Sequence, residues 1–210
     1  MGPAPAGTHR EQKRERTKAA IVEAAMGLFE SQGYNETTIA DIAAAAGVAP
    51  RTFFSYFASK DELLFDEAET RIGAAYAAIA ERRSDDSVGE VLLRSLSDVI
   101  EAGHDFGGRH GELRARLIQT VPAIRGRALQ LQVDAQREIA RQLHDAYSDE
   151  LDQITIGAVV GAFVGAVNGA VQAMYDTGAP ADPETRSAVL RRAVEASLPS
   201  WATHPMSGAS

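Results

Sequence analysis

Apolar residues recur at three- and four-residue spacing along most of this chain, and no stretch alternates apolar with polar side chains over a strand's length. A half-buried strand needs that alternation, whereas a helix needs the longer period. The pattern therefore predicts an all-α fold. Composition agrees: alanine is the commonest residue, and 18 of the 21 basic residues are arginine. Both residue types favour helix, although a GC-rich coding sequence gives the same arginine bias.

The first predicted helix runs from Arg10 to Ser31, with Ile21, Ala24, Ala25, Leu28 and Phe29 on its apolar stripe and Gly33 as C-cap. The second starts at Thr38 and ends before Gly47, and Thr38 with Asp41 makes a variant of the capping box. It buries Ile39, Ile42, Ala43 and Ala46. A third runs from Pro50 to Phe57, opened by proline. Ser59 is expected to cap a fourth helix reaching about Arg83, with Glu62 completing a Ser-x-x-Glu box. A polar break follows at Ser84–Ser87. Further helices are read at Val88–Ala102, Gly111–Thr120, Pro122–Tyr147, Leu151–Asp176 and Pro183–Leu198, with loops at His104–His110 and Asp176–Pro183. No repeat of 20–50 residues is evident.

Ile154–Tyr175 is 22 residues without a charge, which raises a membrane span as an alternative. Its four glycines, five alanines, Thr155, Asn168 and Gln172 leave few large apolar side chains, and no basic cluster flanks it. A buried helix is the preferred reading, and no membrane partner is expected. Gly157, Gly161, Gly165 and Gly169 recur every fourth residue, each followed by alanine. Four interior glycines cost roughly 3–4 kcal/mol of helix propensity relative to alanine, so a close helix approach or a ligand needing room is expected there.

Several chemistries are excluded at once. With no cysteine, there is no disulfide scaffold, Cys-ligated zinc, iron–sulfur cluster or thiol nucleophile. The five histidines (His9, His104, His110, His144, His204) form no metal-binding pair at helical spacing. No Gly-x-Ser-x-Gly and no phosphate-binding glycine loop after a strand is present. No catalytic residue, metal site or cofactor is assigned. Met1–Thr8 lacks an apolar export signal, so a cytoplasmic protein is expected.

The most informative stretch is TTIADIAAAAGVAPRTFFSYFASK, residues 37–60. Two helices joined through Ala-Gly-Val form a helix-turn-helix pattern. Gly47 supplies the positive φ of the turn, and Val48 plugs the angle between the helices. Phe53 and Phe57, four apart, face inward. Arg51, Thr52, Ser55 and Tyr56 are left pointing outward, a set suited to a DNA major groove. A generic three-helix bundle shares this spacing.

Together, LFESQGYNETTI followed by ADIAAAAGVAPRTFFSYFASKDELL resembles the TetR family of bacterial transcriptional regulators over roughly residues 15–66. The resemblance implies a homodimer of about nine helices per chain. Residues 1–9 would be a disordered lead, 10–58 the three-helix DNA-binding domain, 59–199 a ligand-binding and dimerisation domain, and 200–210 a loose tail. It also implies DNA contacts at Thr38 (hydroxyl and backbone N–H to a phosphate), Ala49, Pro50, Arg51, Thr52, Phe54, Ser55, Tyr56 and Lys60 (ammonium to a phosphate). Ala40 departs from the pattern, since many relatives carry a long polar side chain there. Base reading then rests on Arg51, bidentate to guanine, with a phosphate contact as the alternative.

For the rest of the chain, the resemblance implies a small-molecule effector among helices four to eight. Candidate lining residues are Phe65, Tyr76, Phe106, Leu113, Leu117, Phe163, Val167, Val171 and Met174, with plain core packing as the alternative. RLIQTVPAIRGRALQLQ, from Arg116, is similar to a subgroup linked to the mycofactocin-system regulator, for which acyl-CoA-like ligands are proposed. Arg114, Arg116, Arg125 or Arg127 could then meet the ligand's phosphates, unless they sit on solvated faces. Dimerisation is implied for the last two helices, through Gly157, Gly161, Gly165, Gly169, Val189, Leu190, Ala193, Val194 and Leu198.

The formal net charge of −8 argues against coating nucleic acid. It is unevenly placed. Residues 1–60 hold seven basic and six acidic residues, net +1, and the other 150 hold 14 basic and 23 acidic, net −9. All three lysines (Lys13, Lys18, Lys60) lie in the first segment, and Arg10–Lys18 forms a basic cluster, either a phosphate contact or a solvated helix face. The reading is a ligand-responsive repressor on double-stranded, pseudo-palindromic operator DNA, with an activator of the same fold as the alternative.

Overall fold

A computed structural model of the chain describes residues 9–101, 109–178 and 182–198. Among them are nine α-helices and no strand: α1 His9–Gln32, α2 Ile39–Ala45, α3 Pro50–Phe53, α4 Glu62–Ala80, α5 Val88–Glu101, α6 Arg109–Thr120, α7 Pro122–Tyr147, α8 Gln153–Thr177 and α9 Pro183–Ser197. The chain divides into two compact units, with the boundary after Asp66. That boundary falls inside α4 rather than at the expected 58/59. The expected lead (apart from His9, which is helical), the tail and Phe106 lie outside the described residues.

In the first unit, Ile21, Ala25, Met26 and Phe29 of α1 are buried at helical spacing. They share the core with Tyr34, Ile42, Ala43, Phe53, Phe57, Leu63 and Leu64. Gly33 ends α1 with φ +97°, and a Cβ there would stand 2.5 Å from Glu36 Oε2, so only glycine fits without a shift. Gly47 makes the α2–α3 turn at φ +67°.

Three helix ends differ from the sequence reading. α3 is a single regular turn, and residues to Phe57 continue with tighter bonds, Ser55 N–H to Thr52 O at 3.0 Å and Tyr56 N–H to Phe53 O at 2.9 Å. α4 opens at Glu62, not behind Ser59. The expected Ser59–Glu62 box is absent, because Glu62 Oε2 accepts from Ala58 N–H at 2.7 Å. Lys60 and Asp61 are tied to the α1–α2 connection through Tyr34 and cannot join a helix. The same Ser-x-x-Glu pattern is realised instead at α5, where Ser87 N–H reaches Glu90 Oε2 at 2.7 Å and Glu90 N–H reaches Ser87 Oγ at 3.3 Å.

α4 stops at Ala80 rather than Arg83 because Arg82 turns away. Its guanidinium lies 4.5 Å from the Tyr147 ring centroid and donates to Ala146 O. Tyr147 Oη donates to Asp86 O at 2.8 Å, and Arg94 joins Asp86 Oδ2 at 2.8 Å to Ala78 O at 3.2 Å. At the other end of α7, Arg125 Nε donates to Ile118 O at 3.1 Å and Nη2 to Gln119 O, closing the α6–α7 corner. Arg109 and His110 begin α6 rather than ending a loop.

The core of the second unit joins α4, α5, α7, α8 and α9 through Ala78, Val91, Leu92, Leu143, Tyr147, Ile156, Val160 and Val194. α8 corrects the expectation of a buried helix. It is long and apolar enough to cross a membrane, yet only 22% of its most apolar window is buried within the chain. Ile156, Val159, Val160, Phe163 and Met174 face the core. Gly157, Gly165 and Gly169 are exposed, Gly161 is half-buried, and Ile154 is 86% exposed. A Cβ at any of the four glycines would meet nothing within 4 Å. α9 brings a second correction. Leu190, Val194 and Leu198, expected at a dimer interface, are buried in their own chain at 1%, 0% and 6% exposure. Val189 and Ala193 are half-buried. The apolar stripe of α9 faces its own core, where Val194 and Leu198 join the cluster of α5, α7 and α8.

Candidate nucleic-acid interface

The recognition segment rests on two buried rings. Phe53 and Phe57 are 0% and 3% exposed, with centroids 5.8 Å apart. Burying both fixes which way the remaining side chains of this short segment point. Ala49, Pro50, Arg51, Phe54 and Ser55 are exposed, and Thr52 and Tyr56 are half-buried. Phe54 is held edge-on against Phe53 at 5.5 Å and is 57% exposed. An exposed phenyl clamped by a buried one offers an apolar contact for a thymine methyl or a sugar. Ser55 Oγ donates to Arg51 O at 3.3 Å. Arg51 is the only cationic side chain between Lys18 and Lys60, and Ala40 on α2 is exposed without reach.

Beside this segment, the α1–α2 connection is held by polar groups. Thr37 is buried and donates from Oγ1 to Gly33 O at 2.7 Å. Lys60 Nζ donates to Tyr34 O at 2.7 Å and Thr37 O at 3.1 Å, 4.2 Å from the Tyr34 ring centroid. Tyr34 Oη donates to Asp61. Burial, and then the Asp61 carboxylate, push the Tyr34 hydroxyl pKa well up. The ammonium expected to hold a phosphate is therefore directed at two backbone carbonyls.

Thr38 caps α2. Its capping box forms as expected, with Asp41 N–H donating to Thr38 Oγ1 at 3.1 Å. The groups expected to meet a phosphate, the Thr38 hydroxyl and backbone N–H, both donate to Asp41 Oδ2, at 2.6 and 2.9 Å. Those bonds, the side-chain one foremost, hold the Asp41 carboxyl below its ordinary range. Tyr34, Asp41 and Asp61 escaped the sequence reading as parts of this surface. The Thr38–Asp41 spacing was visible in the sequence.

The described effector candidates divide between the two units and, within the second, between its main core cluster and other buried positions. Tyr76, Phe163 and Val167 belong to or pack against the core of the second unit. Leu113, Leu117 and Met174 are buried outside that cluster, Val171 is half-buried, and Phe65 belongs to the first unit. Arg125 serves the α6–α7 corner, Arg116 is exposed, and Arg114 and Arg127 are half-buried. Among the described residues, no group of three His, Asp or Glu side chains could hold a metal.

The family described as "Bacterial regulatory proteins, tetR family" matches residues 21–66. The chain is similar to the HTH-type transcriptional regulator TcmR of Streptomyces glaucescens, 31% identical over 152 residues, 68% of this chain and 66% of that one. It is also similar to the HTH-type transcriptional repressor Rv3405c of Mycobacterium tuberculosis, 38% identical over 98 residues, 43% of this chain and 52% of that one. The matches thus span just under two thirds of the first relative and about half of the second. Among solved structures, the fatty acid degradation regulator FadR from Bacillus halodurans matches with TM-score 0.58 at 15% identity, over 97% of this chain and 100% of that one. At that identity the likeness shows the fold, and this all-helical fold is the one the family resemblance implied. The chain belongs to the TetR family of bacterial regulatory proteins.

Proposed function

We propose that this chain is a sequence-specific DNA-binding transcriptional regulator, a cytoplasmic homodimer that represses by occupying a pseudo-palindromic operator and leaves it when a small molecule binds. The observation that carries the reading is the outward set Arg51, Phe54 and Ser55, fixed by the buried Phe53–Phe57 pair behind the Gly47 turn. Two such segments, one per protomer, would enter major grooves about one helical turn apart. Arg51 reads a base there, and Thr52, Tyr56 and the backbone at Ala49 and Pro50 set the register. The relatives described as regulators and a repressor support this reading over an enzymatic one.

The open glycine face of α8 supports the dimer. Among the described residues nothing fills it, and a second copy laid along it would offset the helix propensity lost at the four glycines. The effector is a small hydrophobic or acyl-CoA-like molecule held in the second unit, a reading that rests on the resemblance of the segment from Arg116. To release DNA it must favour the DNA-incompetent conformation by about 5 kcal/mol.

The test is selection of duplexes from a random-sequence pool, followed by titration of the winning duplex and of unselected DNA. Arg51→Ala should bind both alike. If that variant discriminates as well as the parent, Arg51 is not the base reader, and if the parent enriches no sequence, the regulator reading fails. Recovery of the protein in the membrane fraction would assign the bare face of α8 to lipid instead of a second copy.

A further inference from the structure

The first two turns of α1 carry a feature that the recognition segment does not absorb. Every residue from His9 to Arg16 is exposed, so this stretch of helix buries nothing in its own chain. Its charges are nevertheless sorted. At about 100° per residue, Arg10, Lys13 and Arg14 fall within about 100° of one another, while Glu11 and Glu15 lie together on the adjacent side. Lys18, one turn on, is taken by Asp66 at 2.6 Å and anchors α1 instead.

Arg14 shows where the basic side faces. Its guanidinium carbon lies 5.8 Å from the ring centroid of Tyr56, the residue after Ser55 in the recognition segment. At this distance, near the outer reach of a cation–π contact, the ring sets the side to which Arg14 points without using up its N–H donors. We propose that Arg10, Lys13 and Arg14 form a cationic rail that binds the sugar–phosphate backbone of the duplex flanking each half-site. The rail spans about 6 Å along the helix from Arg10 to Arg14. It carries no sequence information and lengthens the footprint outward from Arg51. This proposal rests on the DNA-binding reading above. The chemistry that selects the occupant is a regularly spaced polyanion beside a groove-reading element, since the rail and the outward set meet at Tyr56.

The experiment uses the full chain and a fluorescent random-sequence duplex longer than two half-sites, titrated by anisotropy across a salt series. The variants are the triple Arg10→Gln, Lys13→Gln, Arg14→Gln and, as a net-charge control, Arg137→Gln on the exposed side of α7. Circular dichroism confirms that each is folded. Each phosphate no longer neutralised should reduce the slope of log K against log salt by about 0.9, so the slope of the triple variant falls by up to about 5 in a dimer. Arg137→Gln should keep the parental slope. An unchanged slope in the triple variant overturns the rail and leaves the regulator reading standing. Equal reductions in both variants would reduce the rail to a net-charge effect and overturn it too. A parent that binds no duplex at low salt overturns both readings. Binding to anionic vesicles that survives in the triple variant while duplex binding falls supports the duplex as the occupant; loss of both refutes that choice.

Discussion

Lys60→Met separates two roles for one ammonium. As the structure stands, Lys60 Nζ joins Tyr34 O and Thr37 O and lies over the Tyr34 ring. Charge-assisted hydrogen bonds are worth about 1.5–3 kcal/mol each and a partly exposed cation–π contact about 0.5–1 kcal/mol. Methionine restores the stem's apolar packing and removes the cost of desolvating the charge, so the net loss is about 2 kcal/mol rather than the sum. That corresponds to roughly 30-fold faster local opening of the α1–α2 connection. Hydrogen exchange at the amides of residues 34–41 is the assay, paired with DNA titration across a salt series. Exchange should accelerate by that factor, and affinity should drop with the salt slope intact, because the backbone at Thr38 is mispositioned while every cation that meets a phosphate is kept. Unchanged exchange, with a slope reduced by about 1.8 for two protomers, would refute this and make Lys60 a phosphate ligand. Lys60→Arg should rescue little, since a planar fork cannot converge on two carbonyls and a ring.

Replacing Gly157, Gly161, Gly165 and Gly169 together by alanine should raise the helix stability of an isolated chain by up to about 3–4 kcal/mol. It should weaken a dimer that needs close approach, so sedimentation should show more monomer; a tighter dimer would mean the helices do not meet there. Phe53→Ala removes a fully buried ring and should cost about 3–5 kcal/mol, abolishing DNA binding, with thermal melting by circular dichroism reporting the loss. Tyr147 is buried and its hydroxyl pKa is pushed up to about 12, chiefly by desolvation. A raised pKa means this group's stabilisation is complete below its ordinary value of about 10 and is lost as pH rises through 12. Alkaline titration should therefore show α7 loosening together with tyrosinate absorbance in that window, and Tyr147→Phe should move the transition.

The helices were legible because their signals are local. Thr38, Pro50, Asp41 and Gly33 each act on backbone within a turn, and the stripes of Ile21–Phe29 and Ile39–Ala43 follow one period. The errors arose where a local signal met a distant partner. Ser59-x-x-Glu62 reads as a cap, but Lys60 is held by a carbonyl 26 residues away and the helix starts late. Arg82 continues a helical pattern, yet Tyr147 lies 65 positions on and draws it off. Leu190, Val194 and Leu198 form a stripe that suits either a subunit core or a partner. Periodicity marks the buried side of a helix without saying what buries it.

The DNA surface shows the same limit in chemical form. A threonine at a helix N-terminus can donate to a phosphate or close a capping box, and the sequence places both uses on Thr38. The structure resolves the competition by proximity: Asp41 is three residues away and always present, whereas a phosphate arrives only with DNA. Both Thr38 groups are bonded to an ionised carboxylate, and a phosphate would compete with it for them. In a chain of net charge −8, the proposed attraction to a duplex draws on few cations. The cations outside the Lys18–Asp66 and Lys60–carbonyl pairs in the first unit are Arg51 and the cluster at the start of α1. The proposed phosphate rail and the proposed base reader Arg51 lie on different helices, so the two roles should separate cleanly by mutation.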